Sequence, residues 1–385
     1  MNWEDTIVDA AATDTGMRRT NNQDSYAIVR AKTQEVWKRR GHVFIVADGM
    51  GAHAVGEMAS KLACDNIPHN YLKSRSGLPV EAITKTYRDV GGQIHAKASA
   101  NRDFQGMGTT ASTLIFQPEG ALIAHVGDSR VYRIRNGQLD QLTFDHSLVW
   151  ELIRRNHLKT DAALKSVPRN VITRSLGPDP TVEVDIEGPL PVEPGDVYLL
   201  CTDGLSGPVQ DPELGAIANN FHPDETCRYL LNLANLRGGH DNITLIVARV
   251  GPWIDPDQPA SEAVDSGPAK RKGGKGFSFA KLIGVLQRKP PPEPIEEHLY
   301  RSADCAINDD LLDRLSEQVR ETQAIAVDQA WPVDWPELTV SRRKADEARA
   351  AGERRRALKN LGESIVRLGV AGRLHRKEHG PIGAR

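Results

Sequence analysis

Between Thr110 and Arg135 three apolar, β-branched runs follow one another: Thr110–Phe116, Ala121–Val126 and Arg130–Arg135. Gly120 and Gly127-Asp128 separate them, and Asn136-Gly137 closes the third. Turns this tight leave no room for the crossover that parallel strands require, so the runs are expected to pair as antiparallel hairpins. Further strand-type runs are Thr6–Ala11, Ser25–Val29, Val43–Ala47, Thr181–Ile186, Val197–Cys201 and Ile243–Val250. Helical patterns fall at Gly56–Tyr71, Val80–Ala100, Leu148–Asn156, Pro212–Asn219 and Asp224–Leu236. Hairpins interrupted by a pair of long helices predict an α+β fold, with antiparallel sheets packed together and helices outside.

That unit does not use the whole chain of 385 residues. Composition shifts near residue 252, which divides the chain into a domain at 5–252, a linker at 253–294 and a helical, partly basic extension at 295–385. The linker is rich in Pro, Gly and Lys, with Lys270-Arg271-Lys272-Gly273-Gly274-Lys275 and Pro290-Pro291-Pro292. Residues 1–254 hold 26 basic against 30 acidic residues, and the remainder 23 against 21. Such a balance excludes nucleic-acid binding through bulk positive charge, and no nucleic-acid partner is expected. Hydrophobic residues at 39% allow a full core, and no run approaches the roughly 18 apolar residues of a membrane span. Met1-Asn2-Trp3-Glu4-Asp5 lacks the features of a secretory signal, so a cytoplasmic location is expected. Cys64, Cys201, Cys227 and Cys305 have no C-x-x-C spacing and read as buried, reduced thiols.

Three aspartates share a setting at the end or the start of an apolar strand. They occur in Phe44-Ile45-Val46-Ala47-Asp48-Gly49, in Leu199-Leu200-Cys201-Thr202-Asp203-Gly204, and in Gly239-His240-Asp241-Asn242 before Ile243–Val250. Ala124-His125-Val126-Gly127-Asp128-Ser129 is a fourth relative of the pattern. One Asp-Gly alone is most simply a hairpin turn. Four at strand ends can converge, and converging carboxylates repel unless a cation compensates. Oxygen ligands suit hard ions such as Mg2+ or Mn2+. Two other readings fail. Asp48-Gly49-Met50-Gly51-Ala52-His53-Ala54-Val55-Gly56 has its third glycine too late for a dinucleotide turn, and Gly127-Asp128-Ser129-Arg130 leads into a strand, where a nucleophile elbow needs a helix.

These pieces resemble, in order, the bacterial form of the metal-dependent serine/threonine phosphatases of the protein phosphatase 2C (PPM) type. The matching segments are Gly16-Met17-Arg18-Arg19-Thr20-Asn21-Asn22-Gln23-Asp24-Ser25, Ala47-Asp48-Gly49-Met50-Gly51 and Gly106-Met107-Gly108-Thr109-Thr110-Ala111. Gly127-Asp128-Ser129-Arg130, Thr202-Asp203-Gly204 and Gly239-His240-Asp241-Asn242-Ile243-Thr244 complete the set, which spans about residues 6–250. The resemblance implies a four-layer α-β-β-α sandwich of two antiparallel sheets. It also implies two Mn2+ or Mg2+ ions with a bridging water that attacks phosphorus, and a third, weaker ion as in bacterial relatives. By position Asp48 resembles the bridging ligand, Gly49 the carbonyl donor, Asp203 and Asp241 ligands of one ion, and Asp128 a ligand of the third ion. Asp24 would take part through water. Arg19, counted back from Asp24, resembles the phosphate-binding arginine, whose planar fork suits phosphate oxygens; Arg18 is its neighbour and rival.

The chain departs from the family at three points. Gln23 stands where an acidic residue is common, removing one negative charge. Met50 occupies the position of the eukaryotic general-acid histidine, which leaves protonation of the leaving group to water. Ala52 replaces a glycine before His53, which caps a helix or reaches the site. His146 opens the 145–168 segment that corresponds to the family's flap, and His240 reads as outer-shell or surface. The expected activity is removal of phosphate from serine and threonine of phosphoproteins, opposing a serine/threonine kinase. A phosphatase-fold module without chemistry is the alternative from another class, motivated by Gln23.

No family resemblance is recognised in residues 255–385. Phe277–Gln287 form an apolar island among basic residues, so 270–289 is a candidate peripheral membrane contact or a packed linker. Helices are expected at Asp309–Ala330 and Ser341–His375, the second with Leu358, Leu361, Ile365 and Leu368 on one seam.

Overall fold

The computed structural model describes residues 6–51, 55–154, 171–255 and 300–380. Strands β1 (Ile7–Asp14), β2 (Asp24–Val29) and β3 (His42–Met50) come first, with α1 (Gln34–Arg40) between the last two. Helices α2 (Val55–Lys73) and α3 (Pro79–Ala100) follow, then β4 (Gly108–Thr109), β5 (Ala111–Gln117), β6 (Gly120–Val126), β7 (Arg130–Arg135) and β8 (Gln138–Gln141). Next are α4 (Leu148–Arg154), β9 (Asp185–Leu190), β10 (Val197–Cys201), α5 (Asp203–Ser206), α6 (Asp211–Asn220), α7 (Pro223–Leu236) and β11 (Ile243–Val250). Strand β12 (Arg301–Asp304) and helices α8 (Asp309–Asp328), α9 (Trp335–Ala350) and α10 (Arg354–His379) belong to the C-terminal extension.

The strands form two antiparallel sheets, ordered β1-β11-β10-β7-β8-β12 and β2-β3-β5-β6-β9, with β4 beside β3. β3 is buried on both faces. Val43, Ile45 and Ala47 pack against Ala59, Ala63 and Ile67 of α2 and Ile83 and Tyr87 of α3. Phe44 points the other way and meets Phe116 edge-on at 5.6 Å, which in turn meets Tyr198 of β10 edge-on at 5.0 Å. These rings join the two sheets at favourable aromatic geometry. On the far side Val197, Leu199 and Cys201 pack under Leu214 and Ile217 of α6 and Leu230 and Leu233 of α7. The four layers of helix, sheet, sheet and helix follow from this alternation.

Elements α1, β4, β8 and α5 form where no element is predicted, and three further elements differ from expectation. The run Thr181–Ile186 predicts a strand, but β9 begins at Asp185 and pairs with β6 from Asp185↔His125 to Leu190↔Ala121. The alternation at 181–186 arises because Val182 and Val184 pack into the core under α3 without pairing. The single helix predicted at Ser341–His375 is two. α9 starts earlier, where the Asp334 side chain accepts from the Glu337 N–H at 3.2 Å and Pro336 occupies the first turn. It stops before Gly352, whose φ of 77° breaks the helix. Strand β12 has no sequence signal and pairs with β8 from Arg301↔Gln141 to Asp304↔Gln138.

The extension therefore completes one sheet and one core. Leu311, Leu312 and Leu315 of α8 and Leu358, Leu361, Ile365 and Leu368 of α10 share a single apolar cluster with α6, α7 and the first sheet. Burying each such side chain contributes about 1.5–3 kcal/mol. Gly362 allows the contact, since a Cβ there would stand 2.9 Å from the Tyr229 ring. Residues Met1–Trp253 and Arg301–Arg385 form one compact unit, and Ile254–Tyr300 a second, small one. Almost all of the latter, including the apolar island at 270–289, lies outside the described residues. Among the described residues no helix is long and apolar enough to cross a membrane. All four cysteines are buried, free thiols.

Candidate active site

The acidic residues meet where strands of the two sheets end. The β2–β3 register sets Asp24 directly opposite Asp48. The Asp48 N–H donates to Thr110 Oγ1 at 2.8 Å, and its carbonyl accepts from Thr110 N–H at 2.9 Å and Thr109 Oγ1 at 2.8 Å. Thr110 Oγ1 also lies 2.8 Å from Ser129 Oγ, linking this strand end to the Asp128 turn. From the other sheet Thr202 Oγ1 donates to Asp24 Oδ2 at 2.8 Å, just before Asp203 opens α5. Gly49 must be glycine here, because a Cβ would fall 2.0 Å from the Gly56 carbonyl oxygen.

Burial and mutual repulsion act together on these carboxyls. Burial, with help from Asp203 and Asp241, pushes Asp24 up to about 7. Asp128 is pushed up to about 8 by burial and by Asp203 and Asp145, and Asp203 to about 6 by burial and Asp241. Asp48 is held well above the usual carboxylate range by burial and then by Asp24, Asp203, Asp128 and Asp241. One buried Oδ1 on each of Asp24, Asp128 and Asp203 has no protein partner. Orphaned buried oxygens are costly in a protein, and a hard cation satisfies them. Among the described residues no three acidic, histidine or cysteine side chains close into a cage by themselves. An ion here would need the Gly49 carbonyl and waters to complete its shell.

Arg19 is the arginine that reaches this cluster: its Nη2 donates to Asp241 Oδ2 at 2.8 Å. Arg18 is exposed. Asn242 ties the loop that carries them to the site, its Nδ2 donating to the Thr15 and Asn21 carbonyls at 3.0 and 2.9 Å. Its Oδ1 accepts from the Gln23 N–H at 2.8 Å. Sequence reasoning passed over Asn242, although an amide that both donates and accepts beside Asp241 was the available signal. Gln23 Nε2 donates to the Gly51 carbonyl at 3.3 Å, a bond that an acid at this position could not make. His53 lies outside the described residues, as do 155–168 of the flap, and His240 is exposed.

His146 has a definite structural part. Its Nδ1 accepts from the Gly127 N–H at 3.0 Å and its Nε2–H donates to Asp185 Oδ2 at 2.9 Å, which fixes the turn bearing Asp128. Behind that turn Arg130 grips Asp145 through Nε and Nη2 at 2.9 and 2.7 Å. A groove of about 620 Å³ runs from Asp128 and Asp203 to Arg301 and Ser302, so β12 forms one of its walls. Arg301 Nε stands 3.0 Å from Asp211 Oδ2 within it.

The sequence profile of protein phosphatase 2C matches residues 17–235, more than half of the chain. This chain belongs to the protein phosphatase 2C family. It is an enzyme of the phosphoprotein phosphatase class, with the PPM fold. It is 35% identical over 240 residues to the serine/threonine phosphatase stp of Listeria monocytogenes, covering 61% of this chain and 92% of that one. Among solved structures it is similar to the Mycobacterium tuberculosis serine/threonine phosphatase PstP/Ppp, with 32% identity and a TM-score of 0.57. That likeness covers 64% of this chain and all of the other. The catalytic domain of the serine/threonine protein phosphatase PstP in complex with two manganese ions is 31% identical, with a TM-score of 0.54. It covers 64% of this chain and 99% of that one. The family match ends before the C-terminal extension begins.

Proposed function

We propose that this PPM enzyme hydrolyses phosphoserine and phosphothreonine in proteins at the acidic cluster, using Mn2+ or Mg2+. The observation that carries the reading is the set of buried Oδ1 atoms of Asp24, Asp128 and Asp203 without protein partners. Asp48, Asp203, Asp241 and the Gly49 carbonyl would hold two ions, Asp24 would contribute through water, and Asp128 would serve a third. Such ions, when bound, acidify a water into a nucleophile and neutralise phosphate charge. Arg19 captures phosphate oxygens through its planar guanidinium and orients the ester against the cluster. Thr202 holds the Asp24 carboxylate and Thr110 fixes the Asp48 backbone, so both strand ends are placed before substrate arrives. With Met50 in place of a histidine, the departing alkoxide takes its proton from water.

The groove toward β12 would receive residues flanking the phosphorylated side chain, so the extension helps to shape the substrate site. A cytoplasmic location, in which the enzyme opposes a serine/threonine kinase, agrees with four free buried thiols. The decisive experiment is phosphate release from a phosphothreonine peptide by the full chain with Mn2+, with EDTA, and with Asp241→Asn. Activity that requires metal and collapses in the variant is the expected result. Tight Mn2+ binding without phosphate release under any of these conditions would overturn the assignment.

A further inference from the structure

The loop between β1 and β2 carries Arg19, and its backbone is held from two directions. Asn242 holds it from the sheet side, and the Met17 N–H donates to the Gly239 carbonyl at 2.7 Å. The second hold comes from the far end of the chain. Arg376, on the last turns of α10, donates through Nη1 to the Gly16 carbonyl and through Nη2 to the Arg19 carbonyl. Arg373, one turn earlier on the same face, places its Nε 3.6 Å from Asp14 Oδ2 where the loop begins. α10 is itself fastened to α7, since Arg373 Nη1 donates to Asn232 Oδ1 at 2.8 Å and the Tyr229 hydroxyl to Glu363 Oε1 at 2.8 Å.

We propose that Arg376 is a positioning residue for Arg19, which makes the C-terminal extension a working part of the active site. The proposal rests on the reading of Arg19 as the phosphate-binding arginine. The Arg19 guanidinium is 53% exposed, and an exposed ion pair to Asp241 orders a side chain only weakly. The direction of Arg19 is therefore set by its backbone, and Arg376 fixes that backbone. A planar fork that spans two carbonyls three residues apart fixes both the place and the tilt of the peptide between them. An ammonium group would act as a point charge and could not do the same. The family match covers residues 17–235, so Arg376 lies outside it.

The test is a double-mutant cycle in the full chain, using Arg376→Ala, Arg19→Ala and the double variant. The readouts are phosphopeptide kinetics, inhibition by inorganic phosphate, and Mn2+ affinity. Arg376→Ala is expected to raise KM and to weaken phosphate inhibition by about tenfold, since small displacements of positioning groups have effects of that order. Mn2+ affinity should stay within about twofold, and in the Arg19→Ala background Arg376→Ala should have no further effect. Equal effects in both backgrounds, or a fall in kcat and Mn2+ affinity with KM unchanged, would overturn the proposal. Should Arg376→Ala misfold, the same cycle with Arg376→Lys decides: a KM effect of about threefold that disappears without Arg19 supports positioning, and wild-type kinetics overturns it. If Arg19→Ala alone leaves activity intact, the functional reading of Arg19 fails. If Arg19 matters and Arg376 acts independently of it, the failure is confined to this inference.

Discussion

The Arg19 guanidinium donates through Nη2 to Asp241 Oδ2 at 2.8 Å, so a candidate phosphate ligand and a candidate metal ligand share one ion pair. A cation and Arg19 thus compete for the same carboxylate. Arg19→Ala should tighten Mn2+ binding by up to about fivefold, the range of an exposed ion pair, while kcat/KM falls by about a hundredfold or more. Calorimetric Mn2+ titration alongside peptide kinetics checks both signs. Weaker Mn2+ binding in the variant would show that Asp241 is not a ligand in competition with Arg19.

The raised carboxyls predict how the metal-free protein responds to pH. Burial pushes Asp24 to about 7 and Asp128 to about 8, against about 4 in an unfolded chain. The folded state therefore binds more protons than the unfolded state between these values. Their stabilising contribution is present below about pH 4 and is lost as pH rises through about 7 to 8. In EDTA the melting temperature should be lower at pH 8 than at pH 6, and Mn2+ should remove the difference. Asp128→Asn should raise the EDTA value at pH 8 and shrink the gain from Mn2+. A variant that gains nothing in EDTA would mean that the Asp128 charge is relieved in some other way.

The strand-end aspartates were legible because two signals coincide in each, an apolar strand and an acidic residue at its end. The register that faces Asp24 with Asp48 was not legible, since it depends on which strands pair. β9 was displaced because the alternation at 181–186 records burial of Val182 and Val184 and not a ladder. β12 has four residues and owes its conformation to the free edge of β8, so no local propensity announces it. Arg376 reaches the Arg19 loop across more than 350 positions of chain, where it reads as one basic residue among many. Helix boundaries at Asp334 and Gly352 were available as cap signals and were outweighed by the continuous charged pattern.

A chain shortened to residues 1–253 should be markedly destabilised. It would uncover Phe221 and Tyr229, which are almost fully buried, and leave open the edge of β8. It would also remove Cys305, whose Sγ fills the space left by Gly215. Loss of several kcal/mol of apolar burial should lower the melting temperature by about 10 °C or more. Adding a separate 301–385 chain should restore part of the difference. A shortened chain that melts with the full one would show that the shared core adds no net stability.

His125 gives a pH response of the opposite sign. Burial, and then the neighbouring His146 ring at 4.9 Å, depress it to about 3. Asp185 and the Phe144 carbonyl, 3.1 Å from Nε2, act in the other direction and are outweighed. The ring stays neutral in the fold, whereas an unfolded histidine takes up a proton below about 6.5. The contribution of His125 is therefore complete above about pH 6.5 and is lost as pH falls toward 3, at up to about 1.4 kcal/mol per pH unit. His125→Gln keeps an amide that can bond to Ser112 and Phe144 but cannot titrate. With saturating Mn2+ to hold the acidic cluster constant, wild type minus variant stability should fall steadily from pH 6.5 to 5. A flat difference would mean that His125 carries its proton equally in the folded and unfolded chains.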